Sequence, residues 1–373
     1  MESSLAGSLV LRSALLGASI AASAALSLSQ SAPDARAGGQ SQPAATYTVL
    51  SPSAVRPLEL VEVERIELGA NKSGRPGIVT DVLMLSGRIF VLDGMAHSLL
   101  VYDSRGRLLK RAAEWGENDG SLQTPIRLVG VGDTVLVLDV THHNAVSAFD
   151  GNGSYLGARL PDLHNAAANS VAFDGGRAYL ATMRPADRPD EPVVSILNLR
   201  GRGFGFGCPR DPGYAKSERG RGVLAHFTAS DVAVRDGHVY CVQAIAPGVT
   251  ELDRSGNMLR RVAVAPPFYA APTDIPDTRN QKVLMEYQST WTAVDRLFML
   301  PKGFVQFFTR FNLDTRQIVY TLFACDLNET LERCRAGASP GTALRVMPPD
   351  TVLAVVNERN GSTTLRVLRM GRP

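Results

Sequence analysis

The feature that most constrains this chain is a strand pair that returns along its length. "GRIFVLDGMAHSLLVYDSRGRLLK" (87–110) is an apolar run closed by Asp93, a polar bend, a second apolar run closed by Asp103, and a turn with Gly. "DTVLVLDVTHHNAVSAFDGNGSYLG" (133–157) and "GHVYCVQAIAPGVTELDRSGNMLRR" (237–261) keep the same order. Their second strands close on Asp150 and Asp253, and the turns that follow suit a positive φ. A shorter strand precedes each copy: "IVTDVLML" (78–85), "PIRLVGVG" (125–132) and "TASDVAVRDG" (228–237). Looser copies occupy 169–203, 291–326 and 343–370. The result is six units of roughly 45–60 residues, each with three clear strands and usually a fourth. "DIPDTRNQKVLMEYQSTW" (274–291) is the one stretch with a helical period.

A four-stranded unit repeated in this way predicts an all-β fold, a six-bladed β-propeller. The last unit has three strands, and the first is preceded by an extra one, "LELVEVERIELG" (58–69). That N-terminal strand is expected to complete the last blade and lock the ring. A sandwich with an added domain would leave the repeated register unexplained.

The segment 115–153 resembles the NHL-type repeat of six-bladed propellers. Gly116, Gly120, Leu122, Pro125, Asp139, Phe149, Asp150 and Gly153 occupy the motif's places. The unit around Asp93 and Asp103 matches the second half of the motif, and the others are degenerate. The chain also looks like exported bacterial six-bladed propellers without an assigned activity. The resemblance implies a module that binds proteins or other ligands. A minority of related rings are metal-dependent hydrolases or lyases, and fold alone does not choose between them.

The N-terminus predicts export. Arg12 precedes a soft apolar run, and Ala35-Arg36-Ala37 offers an A-x-A cleavage site. The expected organisation is a signal peptide (1–37), a flexible Gly/Ser/Pro-rich tether (38–57) and the propeller (58–373). The mature protein is expected in the periplasm or outside the cell, as a monomer without a membrane span. Lys and Arg total 39 against 36 acids, a net charge of +3, and aromatics make up 6%. Neither figure suits a nucleic-acid surface. Partners are instead expected among envelope or extracellular proteins, peptides and small ligands.

Export makes disulfides possible. "CDLNETLERC" reads as a hairpin whose arms end in Cys325 and Cys334, which leaves Cys208 and Cys241 either as a second pair or as two buried free thiols. The spacing is not that of a structural zinc site.

Candidate site residues come from the first strand of each unit, which lines the channel of a propeller. Aligned on the motif, Asp81, Arg127, Ser170 or Asn169, Asp231, Thr292 and Arg345 fall at equivalent places. Such a set reads either as a ring of mutually satisfied ion pairs or as a polar mouth whose arginines grip a carboxylate or phosphate. His164 and His226 precede inner strands and approach the mouth. His97 and His142-His143 sit in inter-strand bends near Asp93 and Asp139. Those aspartates read either as caps on turn amides or, with the histidines, as ligands of a divalent cation such as calcium. Phe268, Tyr269 and Trp291 flank the Pro-rich stretch 266–281, either at a binding face or packed onto the fifth unit. "GRGFGFGCPRDPG" (201–213) reads as a flexible link between blades, since the Lys-Ser/Thr of a phosphate-binding loop is missing. The leading expectation is a binding propeller without catalysis, with the ligand at the channel mouth and loop face. The competing one is a metal-dependent hydrolase or lyase, of lactonase or amidating-lyase kind, with its site in the channel.

Overall fold

The structure is a computed structural model and describes residues 48–69, 75–140, 146–160, 168–182, 191–199, 204–211, 231–273, 280–315, 317–327, 333–358 and 360–371. Six sheets form the blades of a β-propeller. Blades 1 to 5 cover 79–113, 125–160, 168–207, 231–262 and 293–338. Blade 6 takes three strands from 342–370 and its outer strand, Leu60–Leu68, from the start of the propeller. Leu60–Leu68 pairs antiparallel with Thr363–Met370, with Ile66 opposite Leu365. Gly69 N–H donates to Gly106 O at 2.9 Å, tying this closing strand to blade 1 as well.

The blades are apolar on both faces, so each one needs its neighbours. In Arg88–Asp93, Ile89 and Val91 join a cluster with Leu353 and Leu365 of blade 6. Phe90 and Leu92, one residue out of step, join Val135, Val137 and Phe149 of blade 2. The period-2 alternation of a strand thus feeds two seams at once. Similar clusters fill the seams between blades 2 and 3, 3 and 4, 4 and 5, and 5 and 6. The core is a set of seams around a ring, and it depends on closure.

The Asp-x-x-Gly turns repeat in detail. Asp103 Oδ1 accepts from the Arg105 and Arg107 amides, Asp150 Oδ1 from Asn152 and Ser154, and Asp253 Oδ1 from Ser255 and Asn257. Gly106, Gly153 and Gly256 stand at φ +80°, +77° and +93°. A Cβ at Gly106 would run into Glu67 of the neighbouring blade, so the turn needs glycine for space as well as for φ.

Both disulfides form. Cys325–Cys334 joins opposed residues of two paired strands in blade 5. Cys208–Cys241 spans 33 residues and joins the end of blade 3 to blade 4. Beside it, Gln243 Nε2 donates to Pro209 O at 2.8 Å, and Arg261 pairs with Asp211 at 2.7 Å.

Two expectations need correction. Phe204–Gly207 is the outer strand of blade 3, paired with Val194–Asn198, and so is not a loose link. Gly207 is used for close approach: a Cβ there would meet Leu252 and Gly256 of blade 4. The expected tether is also shorter than its composition suggests. Thr48–Val49 pairs in parallel with Val264–Ala265, and Val55–Pro57 with Cys334–Ala336. These pairings use backbone groups of exposed edges, so a stretch poor in apolar side chains still docks. Residues 1–47, with the predicted signal peptide, lie outside the described residues. No helix among the described residues is long and apolar enough to cross a membrane.

The expected helix is Gln281–Thr290, capped by Asn280, whose side chain accepts from the Lys282 amide at 3.0 Å. Tyr287, Trp291 and Ile245 form a small core beneath it.

Candidate functional site

Five of the six inner strands carry the same device. The pairing with the second strand slips by one residue at Val79/Asp81, Pro125/Arg127, Ala168/Ser170, Val294/Arg296 and Ala343/Arg345. Such a bulge bends the strand and re-aims the side chain that follows it. In blade 4 the ladder begins at Asp231. The six equivalent residues are therefore Asp81, Arg127, Ser170, Asp231, Arg296 and Arg345. The sequence reading placed Thr292 at the fifth position. Thr292 instead lies just after the helix, its amide donating to Ala270 O at 2.9 Å. Counting back from the hairpin turn would have found Arg296, which stands to Pro301 as Asp81 stands to Ser86.

Asp81 is fully buried and fully used. Its Oδ1 accepts from the Val82 amide at 2.8 Å and from Arg296 at 3.0 Å. Its Oδ2 accepts from the Leu128 amide of blade 2 at 2.8 Å and from Arg345 at 2.9 Å. The two arginines also clasp backbone across the ring. Arg296 donates to Leu344 O at 2.6 Å and Thr80 O at 2.9 Å, and Arg345 to Val82 O at 2.5 Å and Leu128 O at 2.6 Å. Blades 5, 6, 1 and 2 are stitched together around one carboxylate.

The electrostatics follow from this packing. Burial alone would raise the Asp81 carboxyl, but Arg345, Arg296 and Arg127 together hold it below the usual carboxylate range. Burial works against the Arg296 cation, yet Asp81, Asp295 and Asp231 raise its pKa overall. Arg345 is pushed down, by burial first and by the like charges of Arg296 and Arg127, against the pull of Asp81.

The other side of the ring is built differently. Asp231 repeats the backbone half of the Asp81 pattern, with Oδ1 on the Val232 amide at 3.0 Å and Oδ2 on the Leu297 amide of blade 5 at 2.7 Å. Its guanidinium contact is looser, Arg127 Nη2 at 3.7 Å from Oδ1. That separation is an ion pair without a hydrogen bond. Ser170, between them in ring order, is uncharged and buried.

A recess of about 370 Å³ opens over the ring, lined by the inner strands of blades 2 to 6, with Arg127, Ser170, Asp231, Arg296 and Arg345 at its base. Its walls run along the inner strands to Val131, Phe173, Val234 and Met299, where the first hairpins turn. The recess thus faces the hairpin side of the ring. His164 and His226, expected to approach the mouth, precede inner strands and so belong to the opposite end of those strands. Those two histidines and His142-His143 lie outside the described residues.

Asp93 and Asp139 are caps. Asp93 accepts from the amides of Gly77, Ile78, Met95 and Ala96, and Asp139 from those of Gln123 and Thr124. Among the described residues no group of three or more His, Cys, Asp or Glu could hold a metal ion. Trp291 is 4% exposed and packs against Tyr287, ring centroids 6.2 Å apart. Phe268 and Tyr269 meet the ring of Phe308 edge-on, and Tyr269 Oη donates to Ile245 O at 2.6 Å. These three aromatics pack the Pro-rich stretch onto blades 4 and 5.

No family model matches the sequence, and no curated protein matches it. Solved structures match its fold. A member of the DUF4221 family from Bacteroides vulgatus aligns over 85% of this chain and 99% of its own, at 9% identity and a TM-score of 0.61. A protein of Bacteroides fragilis presumed to be exported aligns over 84% and 96%, at 9% identity and a TM-score of 0.57. At such identity the likeness is one of fold.

Proposed function

We propose that the protein is an exported binding propeller of NHL type, without chemistry of its own, whose ligand sits in the channel recess. Export is supported by the signal-like N-terminus and by the pairing of all four cysteines. The NHL reading is supported by the roles its motif residues play: Leu122 and Phe149 are fully buried, Asp139 caps a turn, and Gly120 and Gly153 take positive φ.

One observation carries the binding reading. Arg127 is 9% exposed and lines the recess, and its guanidinium makes no hydrogen bond among the described residues, the paired acid Asp231 standing 3.7 Å away. Its nitrogens face the recess, where an anionic ligand would offer them charge-assisted acceptors in place of water. The ring acids are poor candidates for a metal or acid–base role, since all four hydrogen bonds of Asp81 and both of Asp231 are spent on amides and arginines.

A crystallographic fragment screen tests this reading. Fragments should cluster in the recess, within reach of Arg127. Hits confined to the opposite face, with the recess empty, would refute the site.

A further inference from the structure

We propose that the recess takes an amphiphilic carboxylate, its head group on Arg127 and its apolar stem along Ala172, Ala233 and Phe298. The inference rests on the reading of the recess as the ligand site and names the chemistry that fits it.

The head group follows from which donors are spent. Arg296 gives both terminal nitrogens, and Arg345 its Nε and Nη2, to Asp81 and to backbone carbonyls of other blades, while Arg296 Nε stands 3.6 Å from Asp295. Arg127 has only its long contact to Asp231, and the oxygens of Asp231 already accept two amides. Ser170, next in ring order, adds no charge to match Arg127. A carboxylate offers two acceptors in the geometry of the guanidinium fork.

The charge of the head group follows from Asp231. Arg127 is paired with Asp231 in charge but not by a hydrogen bond, so a monoanion can take its donors while adding only one negative charge. A phosphate dianion would bring its second charge against the Asp231 carboxylate, and Asp295, 3.6 Å from Arg296, already offsets part of the remaining positive charge. A single carboxylate is therefore favoured over a phosphate.

The stem follows from the walls. Beyond the base the recess is lined by Val129, Ala172, Phe173, Ala233, Phe298 and Val346. Its volume of about 370 Å³ falls at the small end of ligand pockets, with room for a short chain and too little for a large cofactor. The exposed lining is polar and apolar in about equal measure, which matches a molecule with a charged head and a short apolar stem.

The test is calorimetric titration of the purified protein with butyrate, pentanoate and hexanoate, beside 1-hexanol and hexyl phosphate. Binding should tighten by roughly fourfold for each methylene buried. Hexanoate should bind more tightly than hexanol and than hexyl phosphate. Arg127→Gln should weaken hexanoate by about tenfold or more and leave hexanol unchanged. Phe298→Ala should flatten the dependence on chain length. Equal binding of hexanol and hexanoate to the wild type would overturn the anionic head while the binding reading stands. Preference for hexyl phosphate would overturn the carboxylate. No binding by any probe at millimolar concentration, with the fragment screen also empty, would overturn this inference and the binding reading together. The wild-type comparison keeps the inference falsifiable if Arg127→Gln fails to fold.

Discussion

Asp81 and Asp231 hold the same position in blades 1 and 4, on opposite sides of one ring. Each accepts its own following amide and one amide of the next blade. There the likeness ends. Two guanidiniums close over Asp81, at 2.9 and 3.0 Å, and anchor on carbonyls of other blades. One guanidinium stands off Asp231 at 3.7 Å, and a recess opens beside it. The same residue at the equivalent position lies under a closed clasp in blade 1 and lines the recess in blade 4. The difference lies in the partners. Blades 5 and 6 supply arginines that reach Asp81, whereas blade 3, beside Arg127, supplies Ser170.

The largest effect should come from opening the clasp. Asp81→Ala leaves Arg296 and Arg345 buried without their carboxylate, which costs about 3–5 kcal/mol. In a domain of this size the melting temperature should fall by on the order of 10 °C. A variant that melts like the wild type would show that the ring holds without Asp81.

The disulfides come next and test whether closure acts locally or across blades. Removing Cys208–Cys241, with its 33-residue separation, should cost about 3–4 kcal/mol by loop-closure entropy. Removing Cys325–Cys334, separated by 9, should cost about 2–3 kcal/mol. Denaturant unfolding of the two Cys→Ser pairs ranks them, and the reverse order would break the entropic account.

Asp231→Asn should be milder, about 1–2 kcal/mol, because it weakens amide contacts and one distant ion pair. A loss equal to that of Asp81→Asn would erase the contrast between the two sides.

Acid sharpens the same comparison. The Asp81 carboxyl titrates below its unfolded value, near 3.9, so its stabilisation is fully present above that pH. It is lost as pH falls through the lower folded value. The stability gap between wild type and Asp81→Asn should therefore be constant from pH 7 to about 5 and narrow below about 4. Urea titrations over this range measure it, and a gap that widens on acidification would reverse the assigned shift.

Most of the fold was legible because the strand pair repeats with its turns. Asp103, Asp150 and Asp253 mark the turns of blades 1, 2 and 4, and the looser copies between and after them complete the count of six. The closing strand was legible from the three-stranded last unit. Of the ring, Asp81, Arg127, Asp231 and Arg345 were found from equivalent positions. Arg296 was missed because the helix and the Pro-rich stretch upstream shift the start of blade 5, and the bulge adds a residue that a simple alignment does not allow for. Counting from the turn avoids both. Which guanidinium closes on which carboxylate was not legible, because the pairs join residues more than 200 positions apart, as in Arg296 with Asp81. The side on which the recess opens was hidden too, since it depends on how deep the ring sits along each strand. Trp291 looked like a binding aromatic and is the floor of a small helix core.

The smallest expected effect on stability is the most informative one for function. Arg127→Gln and Asp81→Asn should be compared side by side, for melting temperature and for hexanoate binding. The account predicts that Arg127→Gln melts within a few degrees of the wild type and loses binding by about tenfold or more, while Asp81→Asn melts far lower. If Arg127→Gln instead unfolds as readily as Asp81→Asn and, where still folded, binds hexanoate normally, the two sides of the ring do the same structural job, and the division between clasp and site is wrong.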